Sequence, residues 1–210
     1  EGRVQAPGAR VDQGRERVLT TLETFLNLPQ SEAEEGTAGY RGWFYHFLDM
    51  QTGERVWNCE LSSVDTGLLL MGVLYAHEYF DRSHQDETRI RQLAEALCAR
   101  VDWSWMMNGG PTLTMGWHPE RGFIRARWEG YNEASFLYLL GLGAEKNPLP
   151  ESVWPEWTST YKWETYYGQT FVPFPPLFGH QYTACWIDLR YTADAYMREK
   201  GITYFENSRR

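Results

Sequence analysis

Cysteine is scarce: Cys59, Cys98 and Cys185 stand far apart, an odd count with no C-x-x-C pair and no Cys/His ligand spacing. That pattern excludes a disulfide framework and a zinc finger. Basic clusters are missing too. The 20 Lys and Arg against 28 Asp and Glu leave a net charge of −8, so a nucleic acid has no positive surface to bind. No apolar run approaches the ~18–20 residues that a membrane span needs, and the mean hydropathy is −0.55. The opening EGRVQAPGAR has no apolar signal core; residues 1–12 read as a flexible lead-in, and the compartment stays open between cytoplasm and periplasm. Gly-Gly-Pro at 109–111 is not a phosphate loop, because no Gly-Lys-Ser/Thr follows it.

What the chain has in abundance is aromatic rings, 16% of its residues, with 10 Trp and 13 Tyr. Many lie in segments containing Gly and Pro, a placement that suits rings stacking against sugars as well as rings filling a core. Residues 13–27 put Val18, Leu22, Phe25 and Leu26 on one helical face, and residues 86–101 do the same with Ile90, Leu93, Ala94, Leu97, Cys98 and Val101. Both predict amphipathic helices, and 153–164 predicts a weaker third. Three other stretches, 62–80, 132–143 and 180–197, are apolar on most faces and predict buried helices. Each follows a long segment rich in Gly, Pro and rings, at 28–61, 102–131 and 167–179. Structureless segments of that size are uncommon inside a compact domain and usually functional. The plan of wet helix, aromatic loop and buried helix therefore occurs three times. It predicts an all-α fold in two layers, with the loops opening on one face.

In RWEGYNEASFLYLLGLG, residues 127–143, Asn132 is a good N-cap that puts Glu133 in the first helical turn. Ser62 or Ser63 caps the earlier buried helix, with Asp65 in its first turn and Glu60 just ahead, and Gly179 precedes His180 in the same way. An acid in a first turn gains ~0.3–1 kcal/mol from the helix dipole with no function implied. The same dipole lowers a carboxyl pKa, whereas a general acid needs it raised. Paired carboxylates among rings are nonetheless what glycosidic cleavage uses: one acid protonates the leaving oxygen, and one carboxylate activates water or attacks the sugar. Glu133, Asp65 and Glu129 are the catalytic candidates. Glu60, Trp43, Tyr45, Trp117, His118, Trp128, Tyr131, His180 and Gln181 are candidates for holding substrate. His180 equally suits an ion pair inside the domain with Asp188 and Arg190 nearby.

The stretches GTAGYRGWFYHFLDMQTGERVWNCELSSVDTGLLLMGVLYA, GWHPERGFIRARWEGYNEASFLYLLGLG, PLFGHQYTACWIDLR and GITYFENSRR resemble the glucoamylase-like domain proteins. These are similar to bacterial endo-β-1,2-glucanases and to a domain of cyclic β-1,2-glucan synthases. The resemblance runs from about residue 13 to the last residue and implies an (α/α)6 toroid, of which residues 1–210 supply the N-terminal half as three outer/inner helix pairs. Another half, or another chain, would then cover the inner helices. The resemblance also implies an oligo- or polysaccharide partner, no cofactor and no metal. In the glucanase branch a Glu in a context like NEASF is the general acid, which points to Glu133. The expected activity is inverting hydrolysis of β-glucan, β-1,2-linked above others. The alternatives are a non-catalytic glycan-binding or chain-length-controlling domain, and an interaction module whose rings are core.

Overall fold

The computed structural model describes residues 11–210. The expected lead-in lies outside them except for Val11 and Asp12, which already begin a helix. Helix α1 (Val11–Asn27) turns its apolar stripe toward α3 (Gln85–Ala99), as the 3.6-residue spacing requires. A buried ion pair, Arg15 to Glu87 at 2.9 Å, joins the two. Helix α2 (Ser63–Tyr79) packs on α3 with one flank and on α5 (Ser135–Leu142) with the other. A Cβ at Gly67 would stand 2.8 Å from Leu137 Cδ1 and 2.9 Å from Phe136 Cε2, so α2 and α5 approach closely near their starts. Helix α6 (Val153–Ser159) covers α5 through Trp157, whose ring stacks on Tyr138 at 4.5 Å. Two apolar clusters result. One lies among α1, α2 and α3 around Leu22, Phe44, Ile90 and Leu97; the larger surrounds Trp43, Trp103, Phe136, Leu137 and Trp157.

The long segments are not structureless, which corrects the all-α expectation to a helix-rich fold with short strands. In the first, β1 (Gly39–Tyr40) and β2 (Trp43–Phe44) form an antiparallel pair. At its end β3 (Leu61–Ser62) joins β4 (Gly116–His118) and β5 (Gly122–Phe123) of the second segment. The register Leu61 to Trp117 ties the two segments together ahead of α2, beside the single turn α4 (Trp103–Met106).

Three helix expectations are also corrected. Helix α5 begins at Ser135, not at 132: Asn132 spends its side chain on the preceding turn, accepting from Ala134 N and donating to the Glu129 carbonyl, so Glu133 sits in that turn. The helix expected over 153–164 stops at Ser159, and a hairpin follows, β6 (Glu164–Tyr166) with β7 (Gln169–Phe171). Its two-residue link, Tyr167 and Gly168, has φ of 50° and 78°, the left-handed pair that a tight antiparallel turn needs. The third buried helix, 180–197, is broken. It consists of α7 (Phe178–Gln181), a 3-10 turn at Thr183–Cys185, an irregular stretch and α8 (Ala195–Glu199), before α9 (Tyr204–Arg209) ends the chain. Tyr182, Trp186 and Tyr191 are exposed, so packing does not stabilise a helix there. Asp188 also competes for the backbone by accepting from Arg190 N. Among the described residues no helix is long and apolar enough to cross a membrane.

Candidate active site

Ser62 ends β3 and caps α2: its hydroxyl accepts from Asp65 N and donates to Asp65 Oδ2 at 2.5 Å. Asp65 thereby stands in the first turn with a fixed side chain. The bridge from Tyr45 to Leu61 sets His46 opposite Glu60, and His46 N donates to the Glu60 carbonyl. The imidazole then spans two acids, with Nδ1 2.8 Å from Glu60 Oε1 and Nε2 3.4 Å from Asp65 Oδ2. An imidazolium donates at both nitrogens, the neutral ring at one. Burial pushes the Glu60 carboxyl up, but its own backbone N–H, the His46 hydrogen bond and the charges of His46 and His118 outweigh that and leave it below the usual carboxylate range. Glu60 is held ionised.

His118, on β4, closes this group. Burial and the nearby Arg121 charge hold its imidazole below the ordinary value against the pull of Glu60. Arg55 locks the surrounding loop with a side chain only 2% exposed. It donates to both oxygens of Glu120, gives Nε–H to the Cys59 carbonyl at 2.7 Å, and lies over the Tyr45 ring at 4.7 Å. A cavity of about 390 Å³ lies beside His118, lined also by Arg121, Phe123 and Arg125, but none of His46, Glu60 or Asp65 lines it.

A second group forms at the start of α5. Glu133 is half-buried, and its Oε2 is buried with no hydrogen-bond partner among the described residues. His180 lies over Tyr131, with ring centres 5.0 Å apart; its Nε2 meets the Phe174 backbone, and its Nδ1 is buried without a partner among the described residues. Burial lowers the His180 imidazole below its ordinary value. The ion pair expected near it does not involve it: Asp188 and Arg190 bind each other at the surface. Thr183 accepts from Phe136 N, so the broken third segment still reaches the start of α5. Trp128 connects the two groups by donating Nε1–H to Ser63 Oγ, at the first residue of α2, at 2.8 Å.

Several expected sugar platforms are core instead. Trp43 is 0% exposed, donates to the Asp102 carbonyl and packs edge-on to Trp103. Tyr45 is buried under Arg55, and burial pushes its hydroxyl up to about 12. Trp117, Trp128 and Tyr131 are also buried, Trp117 between Tyr40 and Trp105. Glu129 and Gln181 are exposed, and Glu129 engages Asn132 through its carbonyl, not its carboxylate. Sequence reasoning did not anticipate the bridging position of His46 or the Arg55–Glu120 lock, since both depend on strand pairing between segments with no periodic signal. Among the described residues no group of three His, Cys, Asp or Glu could hold a metal ion.

Residues 125–210 match the family model described as "Putative glucoamylase". An exo β-1,2-glucooligosaccharide sophorohydrolase (non-reducing end) of Parabacteroides distasonis is 26% identical over 204 residues, covering 81% of this chain and 28% of that protein. In fold, a "putative glucoamylase" from Bacteroides caccae superposes with a TM-score of 0.82 at 21% identity, over 97% of this chain and 50% of the other. An endo-β-1,2-glucanase from Chitinophaga pinensis, bound to sophorotriose and glucose, gives 0.81 at 22% identity, over 95% and 49%. The chain thus spans half or less of the length of these relatives. It is similar to the glucoamylase-like family by sequence over residues 125–210 and by fold over nearly its whole length.

Proposed function

We propose that the chain is half of an (α/α)6 toroid that hydrolyses β-glucan, β-1,2-linked above others, by inversion. The observation that carries this reading is the gathering of Glu60, His46 and Asp65 at the start of α2, which packs beside the start of α5, where Glu133 stands. Glu133 is the general acid: its carboxyl stands half-buried ahead of α5, and among the described residues nothing hydrogen-bonds to its buried Oε2, so no such partner competes for the proton. Glu60, held ionised, and Asp65 hold the water or the sugar hydroxyls, and the exposed Glu129 contacts substrate from the rim. In an inverting pair the carboxyls stand about 6.5–9.5 Å apart, which leaves room for that water. The linkage follows the sophorohydrolase relative, and the sugar class also agrees with the endo-glucanase fold. The remaining inner helices of the toroid come from chain beyond these residues or from a partner, in keeping with the half coverage of the structural relatives.

The test is release of reducing ends from linkage-defined glucans by the full protein and its Glu133→Gln variant. Loss of about 10²–10⁴-fold in turnover with glucan binding retained supports the acid assignment. Unchanged turnover removes it. Binding of β-glucan by the unaltered protein with no reducing ends released makes this a glycan-binding or chain-length-controlling domain instead.

A further inference from the structure

Trp57 is 81% exposed, beside the exposed Phe47, on a loop that is otherwise tightly held. Water contact of an indole is unfavourable, and here the backbone is arranged to maintain it. Trp57 and the next residue, Asn58, both have left-handed φ, 58° and 50°. For a bulky side chain that conformation is an outlier, and such outliers persist only where the surroundings enforce them, often at ligand clamps.

The enforcement is visible. Arg55 fixes one side of the turn through Glu120 and the Cys59 carbonyl. On the other side, Val56 N donates to the Phe47 carbonyl, and Phe47 N donates to Cys59 Sγ at 3.3 Å. The Phe47 ring sits 5.1 Å from the Trp57 ring and stacks on His46 at 4.2 Å with 12° between planes. His46 in turn meets Glu60 and Asp65. An unbroken row of contacts therefore runs from the exposed indole to the two carboxylates.

We infer that Trp57 and Phe47 form an outer sugar subsite, which seats one pyranose ring of a glucan chain whose neighbouring units lie along His46, Glu60 and Asp65. A pyranose suits the place, because its C–H face is apolar enough to cover an indole while its rim hydroxyls reach polar groups. A wholly apolar ligand running on to Glu60 and Asp65 would strip water from these carboxylates and offer no hydroxyl in its place. The inference rests on the proposed glucan-hydrolysing reading and adds a chain-length preference to it.

The experiment compares the full protein with Trp57→Ala and Trp57→Phe, using sophorose and a series of longer linear β-1,2-glucooligosaccharides. Binding is read by calorimetry, turnover by reducing-end release, and folding by thermal melting. The expected result is about tenfold weaker binding and higher KM for the longer members in Trp57→Ala. Sophorose affinity, kcat and melting temperature stay unchanged, and Trp57→Phe recovers part of the loss. Equal binding at every length by Trp57→Ala overturns the subsite while leaving hydrolysis standing. A drop in melting temperature with a uniform loss across all lengths also overturns it, by making Trp57 structural. Failure of the unaltered protein to bind or cleave any member overturns both readings.

Discussion

Trp43 and Trp57 belong to the same long segment between α1 and α2, the first among other rings in YRGWFYHF and the second among polar and aliphatic residues in ERVWNCEL. One is sealed in the core with its N–H satisfied by Asp102; the other projects into water from a left-handed turn. The difference predicts opposite mutational behaviour. Trp43→Ala costs about 3–5 kcal/mol of stability, as expected for emptying a filled site, and is measured by urea unfolding. Under the proposed function the folded fraction keeps its KM for β-glucan, because the ring touches no open surface. The proposed outer subsite predicts the reverse for Trp57→Ala, with glucan binding weakened and stability kept. Asp65 and Glu60 are distinguished in the same way by their surroundings, since Ser62 fixes the first and His46 the second.

At the scale of elements, the turn between β1 and β2 must meet the end of α3. Gly42 has φ of 86°, and a Cβ there would stand 2.4 Å from the Arg100 carbonyl oxygen and 2.5 Å from Val101 Cα, both backbone atoms. Gly42→Ala therefore loses about 1–2 kcal/mol to the left-handed conformation alone, and more from the collision. Gly201 is the control: its φ is 67° but nothing lies within 4 Å of its Cβ position. Gly201→Ala bears only the conformational cost, about 1–2 kcal/mol. Urea midpoints for the two variants check the order, and equal losses would mean that the Gly42 approach is not tight. Helices were legible where one face is wet, as in α1 and α3, because polarity at every third or fourth position reports burial directly. The 180–197 stretch was not legible. An apolar segment reads as buried helix only if neighbours cover it, and here Tyr182, Trp186 and Tyr191 face water.

For the molecule as a whole, acid weakens the fold in two stages. Burial holds His118 and His180 below the ordinary imidazole value. Below the unfolded value of about 6.5, the unfolded chain therefore binds more protons than the native one, and stability falls as pH falls. Glu60, Glu87 and Glu120 lie below the usual carboxylate range when folded: Glu60 and Glu87 despite burial, Glu120 chiefly through Arg55. Their contribution is fully present above the unfolded value of about 4.3 and is lost as pH drops through the folded values. Melting temperature should decline from about pH 6.5 downward and again below about 4.3. A melting temperature that rises over either interval would contradict these assignments.

The sequence by itself determined the predominance of helix, the amphipathic pair α1 and α3, a serine cap at 62 or 63 with Asp65 in the first turn of α2, and the family resemblance. All of these depend on patterns local in the chain or on long matched stretches. Only the tertiary structure decided that Trp43 is core and Trp57 is surface, that His46 joins Glu60 to Asp65, and that Asn132 serves a turn instead of a helix cap. Those outcomes depend on short strands pairing across distant segments and on which ring finds space in the core. Neither leaves a period in the chain to be read.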